Sequence, residues 1–252
     1  MKSILDSPTI SGRAFFPRNY DLDDVQLLEL SGTTLAYHHT VVDPTALTLL
    51  HFHGNGETIA DYVNGQFHQF YELGINVLFV EYRGYGQSFG VPELVAMLDD
   101  GEELVKGLGL SFDRVISFGR SMGSLYSIEM AARQPTLAGL AIESGIHDLA
   151  ERLNAWGAGP DFSSQKIEEE CQSHFDHGSK LRQYPGPVLV LHAERDHIID
   201  ITHAERNYQA NPDQSKLVRL PHGDHSSVMP FNADEYFSEL RHFIVRCGQK
   251  ED

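Results

Sequence analysis

The chain has 252 residues, 41% hydrophobic and 10% aromatic, which suits one large α/β core. Its 36 acidic residues against 19 Lys and Arg leave a formal charge of −17, which argues against nucleic-acid binding and against attraction to anionic membrane surfaces. Two cysteines, Cys171 and Cys247, exclude a disulfide scaffold while allowing one bridge, and no apolar run reaches the roughly 18 residues of a membrane span.

The opening residues, Met1 to Pro8, lack the long apolar stretch of a signal peptide, so a cytoplasmic protein is expected. Residues 1–20 show no strong period. Val25 to Leu30 and Thr34 to Thr40 read as strands joined at Ser31-Gly32. Ala46 to Phe52 is a buried strand ending at His53-Gly54-Asn55-Gly56-Glu57. A helix over about 58–72 follows, with Ile59, Tyr62, Val63 and Phe67 on one face. Ile75 to Val80 is the next strand, and a helix over about 92–107 comes after it. Arg114 to Phe118 is a strand, and Ser124 to Ala132 a helix. Further strands lie at Leu137 to Ile142, Val188 to Leu191 and Lys216 to Leu220. The last helix, about 233–246, carries Tyr236, Leu240, Phe243 and Ile244 on its inner stripe. Apolar strands alternating with helices predict a mostly parallel sheet covered on both faces, in a single domain over 1–252.

Residues 146–185 exceed what one crossover helix needs. The mixed composition here, with Leu149, Leu153, Trp156 and a Gly157-Ala158-Gly159-Pro160 break, predicts a small helical cap inserted over the strand ends. Ligands of open α/β sheets bind at those ends, so Trp156 is expected either to line a pocket or to fill the cap's own core. A cap this small should close only a modest pocket.

Chemistry concentrates at Gly119-Arg120-Ser121-Met122-Gly123, a G-x-S-x-G pentapeptide between a strand and a helix. The sharp turn strains the backbone at Ser121 and lifts its hydroxyl, and glycine at 119 and 123 removes Cβ atoms that would clash. A serine hydroxyl needs a base, and the base needs an acid to fix its tautomer. In a fold that orders these residues Ser, acid, His, the acid belongs at the end of a later strand. Asp196 lies on the loop after Val188 to Leu191, with Glu194 as its rival, while Asp200 reads as the N-cap of the next helix. The base belongs after the last strand, where Pro221-His222-Gly223-Asp224-His225 places His225 past a glycine turn. His222 is the alternative, and Asp224 is not assigned. For the oxyanion, the Met122 N–H comes with the elbow and the Asn55 N–H with the loop after His53-Gly54. His51-x-His53 and His222-x-x-His225 are chelating spacings, yet no metalloenzyme signature occurs and neither a metal nor another cofactor is expected.

These motifs together resemble the α/β-hydrolase superfamily, and within it the abhydrolase-domain branch. The matching residues are Phe52-His53-Gly54-Asn55, Tyr82-Arg83-Gly84-Tyr85-Gly86-Gln87-Ser88-Phe89-Gly90 and the Gly-Arg-Ser-x-Gly elbow, over about residues 25–246. The resemblance implies an α/β-hydrolase fold, a Ser121–His225–Asp196 triad, and Asn55 and Met122 as oxyanion donors. It also implies that Arg83 ties loops near the site. The histidine segment departs from the family's usual Gly-x-Gly-His, reading His222-Gly223-Asp224-His225-Ser226. The expected function is hydrolysis of a small-molecule carboxylic ester or thioester through an acyl-enzyme. A peptidase or amidase with the same triad is the alternative, followed by a non-catalytic binding protein of this fold.

Overall fold

In a computed structural model of the chain, residues 2–64, 68–157 and 161–249 are described. Eight strands form one sheet: β1 (Gln26–Leu30), β2 (Thr33–Thr40), β3 (Thr48–Phe52), β4 (Asn76–Val80), β5 (Val115–Arg120), β6 (Gly139–Glu143), β7 (Val188–Ala193) and β8 (Ser215–Leu220). Their order across the sheet is β1-β2-β4-β3-β5-β6-β7-β8. β2 runs antiparallel to both β1 and β4, and every pairing from β4 through β8 is parallel. The expected mostly parallel sheet is therefore present.

The strands β3 to β7 are buried from end to end, which explains their near-continuous apolar sequences. Successive residues feed opposite faces. Leu50, Phe52, Leu78 and Val80 join a core with α1 (Pro8–Ala14), α3 (Asp100–Gly107) and α4 (Ser124–Arg133). Leu49, Val77, Phe79 and Phe118 join the other core, under α2 (Ile59–Val63) and α10 (Ala233–Gly248). On α10 the expected stripe of Tyr236, Leu240, Phe243 and Ile244 is buried, together with Phe237.

Three helical expectations change. The helix expected over 58–72 is shorter. α2 starts with a Thr58–Asp61 capping box and stops at Asn64, and a separate 3-10 turn covers His68–Leu73. Phe67 lies outside the described residues. The helix expected over 92–107 begins only at Asp100. The reason is a buried carboxylate: Asp6 accepts from the amides of Val95 and Ala96, so these groups are served by a side chain instead of a helical ladder. Residues 1–20, read as patternless, contain α1. Ser7 caps it through Ile10 N and Pro8 fills its first turn.

The segment 146–185 holds α5 (Leu149–Ala155), α6 (Ser164–His174) and α7 (His177–Gln183), capped by Asp148, Ser163 and Asp176. Ala158-Gly159-Pro160 of the expected break lie outside the described residues. After β7, Asp200 caps α8 (Ile201–Ala210) through Thr202 N, as its position in the sequence predicts. A short α9 (Val228–Phe231) precedes α10. Cys171 and Cys247 are both free thiols.

Candidate active site

β5 delivers Ser121 at its carboxyl end, and the chain then turns directly into α4. Ser121 has φ +50°, in the left-handed region that a side chain enters at a cost of about 1–3 kcal/mol. The flanking glycines allow this geometry. A Cβ at Gly119 would fall on Ser127 Oγ and the Gly123 carbonyl, and one at Gly123 would fall on the carbonyls of Phe52 and His53. Gly123 thus fits against the end of neighbouring β3 rather than against its own turn. Ser124 Oγ donates to the Ser121 carbonyl at 2.7 Å and accepts from Ile146 N at 2.9 Å, which fixes the elbow against the start of the inserted segment.

Three sequence-predicted residues meet at the strand ends. His225 Nε2 lies 2.8 Å from Ser121 Oγ, and its Nδ1 lies 2.7 Å from Asp196 Oδ2. A carboxylate facing Nδ1 requires that nitrogen to carry the proton, which leaves Nε2 to accept from the serine hydroxyl. Asp196 is buried, and burial alone would raise its pKa. The hydrogen bond and charge of His225 and the Ile199 amide outweigh that and hold it below the ordinary carboxylate range. The other oxygen, Oδ1, accepts from Ile198 N at 2.9 Å and Ile199 N at 2.8 Å.

The rival residues are elsewhere. Glu194 is exposed. His222 is exposed too, with its backbone held on both sides by the Asn232 amide. Asp224 faces Ser226 N and Ser227 and takes no part in the His225 contact. His51 is enclosed by the rings of Tyr62, Phe70, Phe79 and Phe118, whereas His53 meets Glu81 at 3.1 Å. The His51-x-His53 spacing therefore does not bring these two rings to a common partner. Among the described residues, no cluster of three or more His, Cys, Asp or Glu is arranged to hold a metal ion. Arg83 forms a two-pronged pair with Asp100, at 2.8 and 2.6 Å, and so ties the β4 loop to α3.

The comparisons with known proteins agree with this architecture. A family model described as serine aminopeptidase S33 matches residues 43–159. The alpha/beta hydrolase domain-containing protein aho-3 of Caenorhabditis elegans is 27% identical over 246 residues, 93% of this chain and 70% of that protein. Mouse alpha/beta hydrolase domain-containing protein 17C is 27% identical over 207 residues, 78% of this chain and 59% of its own length. Among solved structures, an esterase from Rhodococcus sp. superposes with TM-score 0.69 at 17% identity, covering 89% of this chain and all of that one. An esterase of Pyrococcus furiosus gives TM-score 0.69 at 18% identity over 92% of this chain and 97% of its own. The chain has the α/β-hydrolase fold.

In this fold, Ser121, His225, Asn55 and Met122 line one cavity of about 870 Å³. That is larger than the modest pocket expected from a short cap. The inserted segment contributes Trp156, which sits under the Arg152 guanidinium and packs on the core, so it serves pocket and core together. Phe16, Arg18 and Tyr20 also line the cavity, residues that no motif or period in the sequence marks.

The largest feature missed in the sequence is Arg120. It is buried, and its guanidinium pairs with Glu57, reaches Glu143 at 3.1 Å and donates to the His225 carbonyl at 2.8 Å. Glu57 in turn accepts from Gly54 N at 2.6 Å, and Glu143 from Tyr236 Oη at 2.6 Å. Burial opposes ionisation at all three. The charge of Arg120 holds Glu57 below its usual range, whereas burial wins at Glu143 and raises it. The position of Arg120 inside the elbow was the available signal: a charged residue in an otherwise buried strand requires partners. His192 was also passed over. It is buried and neutral, and its Nε2 donates to the Ile199 carbonyl at 2.8 Å, bracing the turn that carries Asp196.

Proposed function

We propose that the chain is a serine hydrolase that cleaves carboxylic esters or thioesters through an acyl-enzyme on Ser121. Ser121 Oγ attacks the carbonyl carbon as His225 Nε2 takes its proton, and Asp196 holds the resulting imidazolium. The developing oxyanion is received by the N–H groups of Met122, in the turn just before α4, and Asn55. His225 then returns the proton to the leaving group, and water repeats the cycle. Residues 146–185 act as a partial cap through Trp156. The observation that carries this reading is the placement of one imidazole within hydrogen-bond reach of both a strained serine and a buried carboxylate.

The matched family model is described as an aminopeptidase, which makes peptide hydrolysis the second reading. An aminopeptidase must hold a substrate ammonium, best done by an unengaged carboxylate. Among the described lining residues the carboxylates are Glu57 and Asp61. Arg120 occupies the first and Arg18 the second, the latter at 2.8 Å. The lining residues Phe16, Tyr20, Trp156 and Ile198 instead favour an apolar acyl or alkoxy group, and the cavity has room for both halves of a sizeable ester.

A fluorophosphonate probe should label the protein at Ser121, and Ser121→Ala should abolish both labelling and turnover of p-nitrophenyl esters. Labelling that persists in Ser121→Ala would overturn the assignment. Faster turnover of aminoacyl-p-nitroanilides than of the matched esters would favour the peptidase reading.

A further inference from the structure

The proposed second oxyanion donor is a main-chain N–H, which any residue at position 55 except proline could supply. The Asn55 side chain is nonetheless held at both its nitrogen and its oxygen. Its Nδ2 donates to the Ala14 carbonyl at 2.7 Å, and its Oδ1 accepts from Phe16 N at 3.0 Å and from Tyr85 Oη at 2.7 Å. Phe16 N also reaches Tyr85 Oη at 2.9 Å, which closes a ring of hydrogen bonds. Just beyond it, Arg18 donates to the Gly56 carbonyl at 2.9 Å, and the Arg18 carbonyl accepts from Gly86 N at 2.8 Å. The chain from 14 to 18 therefore crosses the His53–Glu57 loop, gripping residue 55 by its side chain and residue 56 by its carbonyl. The segment itself is anchored, since Leu5, Ile10, Ala14 and Phe15 are all buried. Residues 14–18 lie outside the stretch matched by the family model.

We propose that the main chain of residues 14–16 and the Tyr85 hydroxyl form a clamp that positions the Asn55 N–H for the oxyanion, which makes Tyr85 and the Asn55 side chain positioning residues. The proposal rests on the acyl-transfer reading above. It gives the second sequence motif a role. Of Tyr82-Arg83-Gly84-Tyr85-Gly86, Tyr85 is the residue whose hydroxyl reaches the first motif's Asn55, while its buried ring fills the core beneath. A phenylalanine would pack equally well there and lose only the hydrogen bonds. An oxyanion donor displaced by about 1 Å costs on the order of 100-fold in rate, so the clamp acts on the chemical step and not on substrate binding.

The test compares Tyr85→Phe, Asn55→Ala and the double variant, with active sites counted by fluorophosphonate titration. The expected result is a kcat per titrated site about tenfold or more below that of the unmodified protein on a p-nitrophenyl ester, with KM within about twofold. The inhibition constant of an alkyl boronic acid, whose tetrahedral adduct on Ser121 places an oxygen where the oxyanion forms, should rise by the same factor. The double variant should lose little more than the worse single variant, because both changes release one group. If Tyr85→Phe keeps the native kcat per site and the native boronate affinity, the clamp is overturned while the acyl-transfer reading stands. If Ser121→Ala retains turnover, the reading falls and the clamp with it. Should Asn55→Ala fail to fold, Tyr85→Phe alone decides.

Discussion

Asp196 divides its two oxygens between the His225 ring and the backbone. Oδ2 faces the His225 ring, and Oδ1 closes the turn through Ile198 and Ile199. Asp196→Asn can keep the turn through its remaining carbonyl oxygen, but it presents either an amide donor or a weaker acceptor to His225 Nδ1. The folded protein should persist while kcat falls by about 10⁴, as in the corresponding serine-protease substitution. Steady-state kinetics alongside circular dichroism checks this, and near-native turnover would move the acid elsewhere. The meeting of Ser121, Asp196 and His225 was legible because each lies just past a strand end, in an order that the elbow dictates. The Asn55 side chain, Tyr85 and Arg120 were not, because hydrogen bonding joins positions far apart in the chain. Asn55 meets residue 14, and Arg120 meets residues 57, 143 and 225. A residue type says that a buried charge must be paired, but the fold alone names its partner.

At the scale of elements, Arg120 joins the ends of β5 and β6 to the loops that follow β3 and β8. Arg120→Met would leave Glu57 and Glu143 buried without their cation and free the His225 carbonyl. The expected loss of stability is about 3–5 kcal/mol, measurable as a drop in denaturation midpoint, with activity lost beyond the unfolded fraction. An unchanged midpoint would show that the pair contributes little. The strands and the elbow helix were readable because burial on both faces writes continuous apolar runs. The helical boundaries over 58–72 and 92–107 were not, since Thr58–Asp61 and Asp6 settle them through side-chain bonds that periodicity does not register. The same holds for α1, whose seven residues are too short for a period to show, although Ser7-Pro8 carried its start signal.

For the whole molecule, no described helix is long and apolar enough to cross a membrane, and the surplus of negative charge remains the dominant global property. Its response to acid is set from inside as well. His177 is buried, donates from Nδ1 to the Ile146 carbonyl, and has no partner at Nε2; burial lowers its pKa to about 3. His203 accepts from His147 N and is lowered to about 4, again by burial first. Both folded values lie below the unfolded one of about 6.5, so the unfolded chain takes up protons first as pH falls. The stability tied to neutral rings is complete above about pH 6.5 and is lost on the way down, to about pH 4 for His203 and about pH 3 for His177. At pH 5 His177 alone accounts for about 2 kcal/mol. Urea midpoints should therefore fall between pH 7 and pH 5, and His177→Asn should flatten the decline. An equal decline in that variant would assign the effect to other groups.

The placement of the proposed triad across the sheet carries a kinetic meaning. Ser121 hangs from β5, in the middle of the parallel array, and Asp196 from β7, whereas His225 follows β8, a margin strand bonded to β7 alone. Ser121 and His225 thus sit on parts of the protein with different opening free energies, since a margin strand detaches at lower cost than the centre. A transient fraying of β8 would withdraw the imidazole while Ser121 stayed seated in an intact elbow. Turnover would then report the local integrity of the carboxyl-terminal margin, failing before the sheet as a whole gives way.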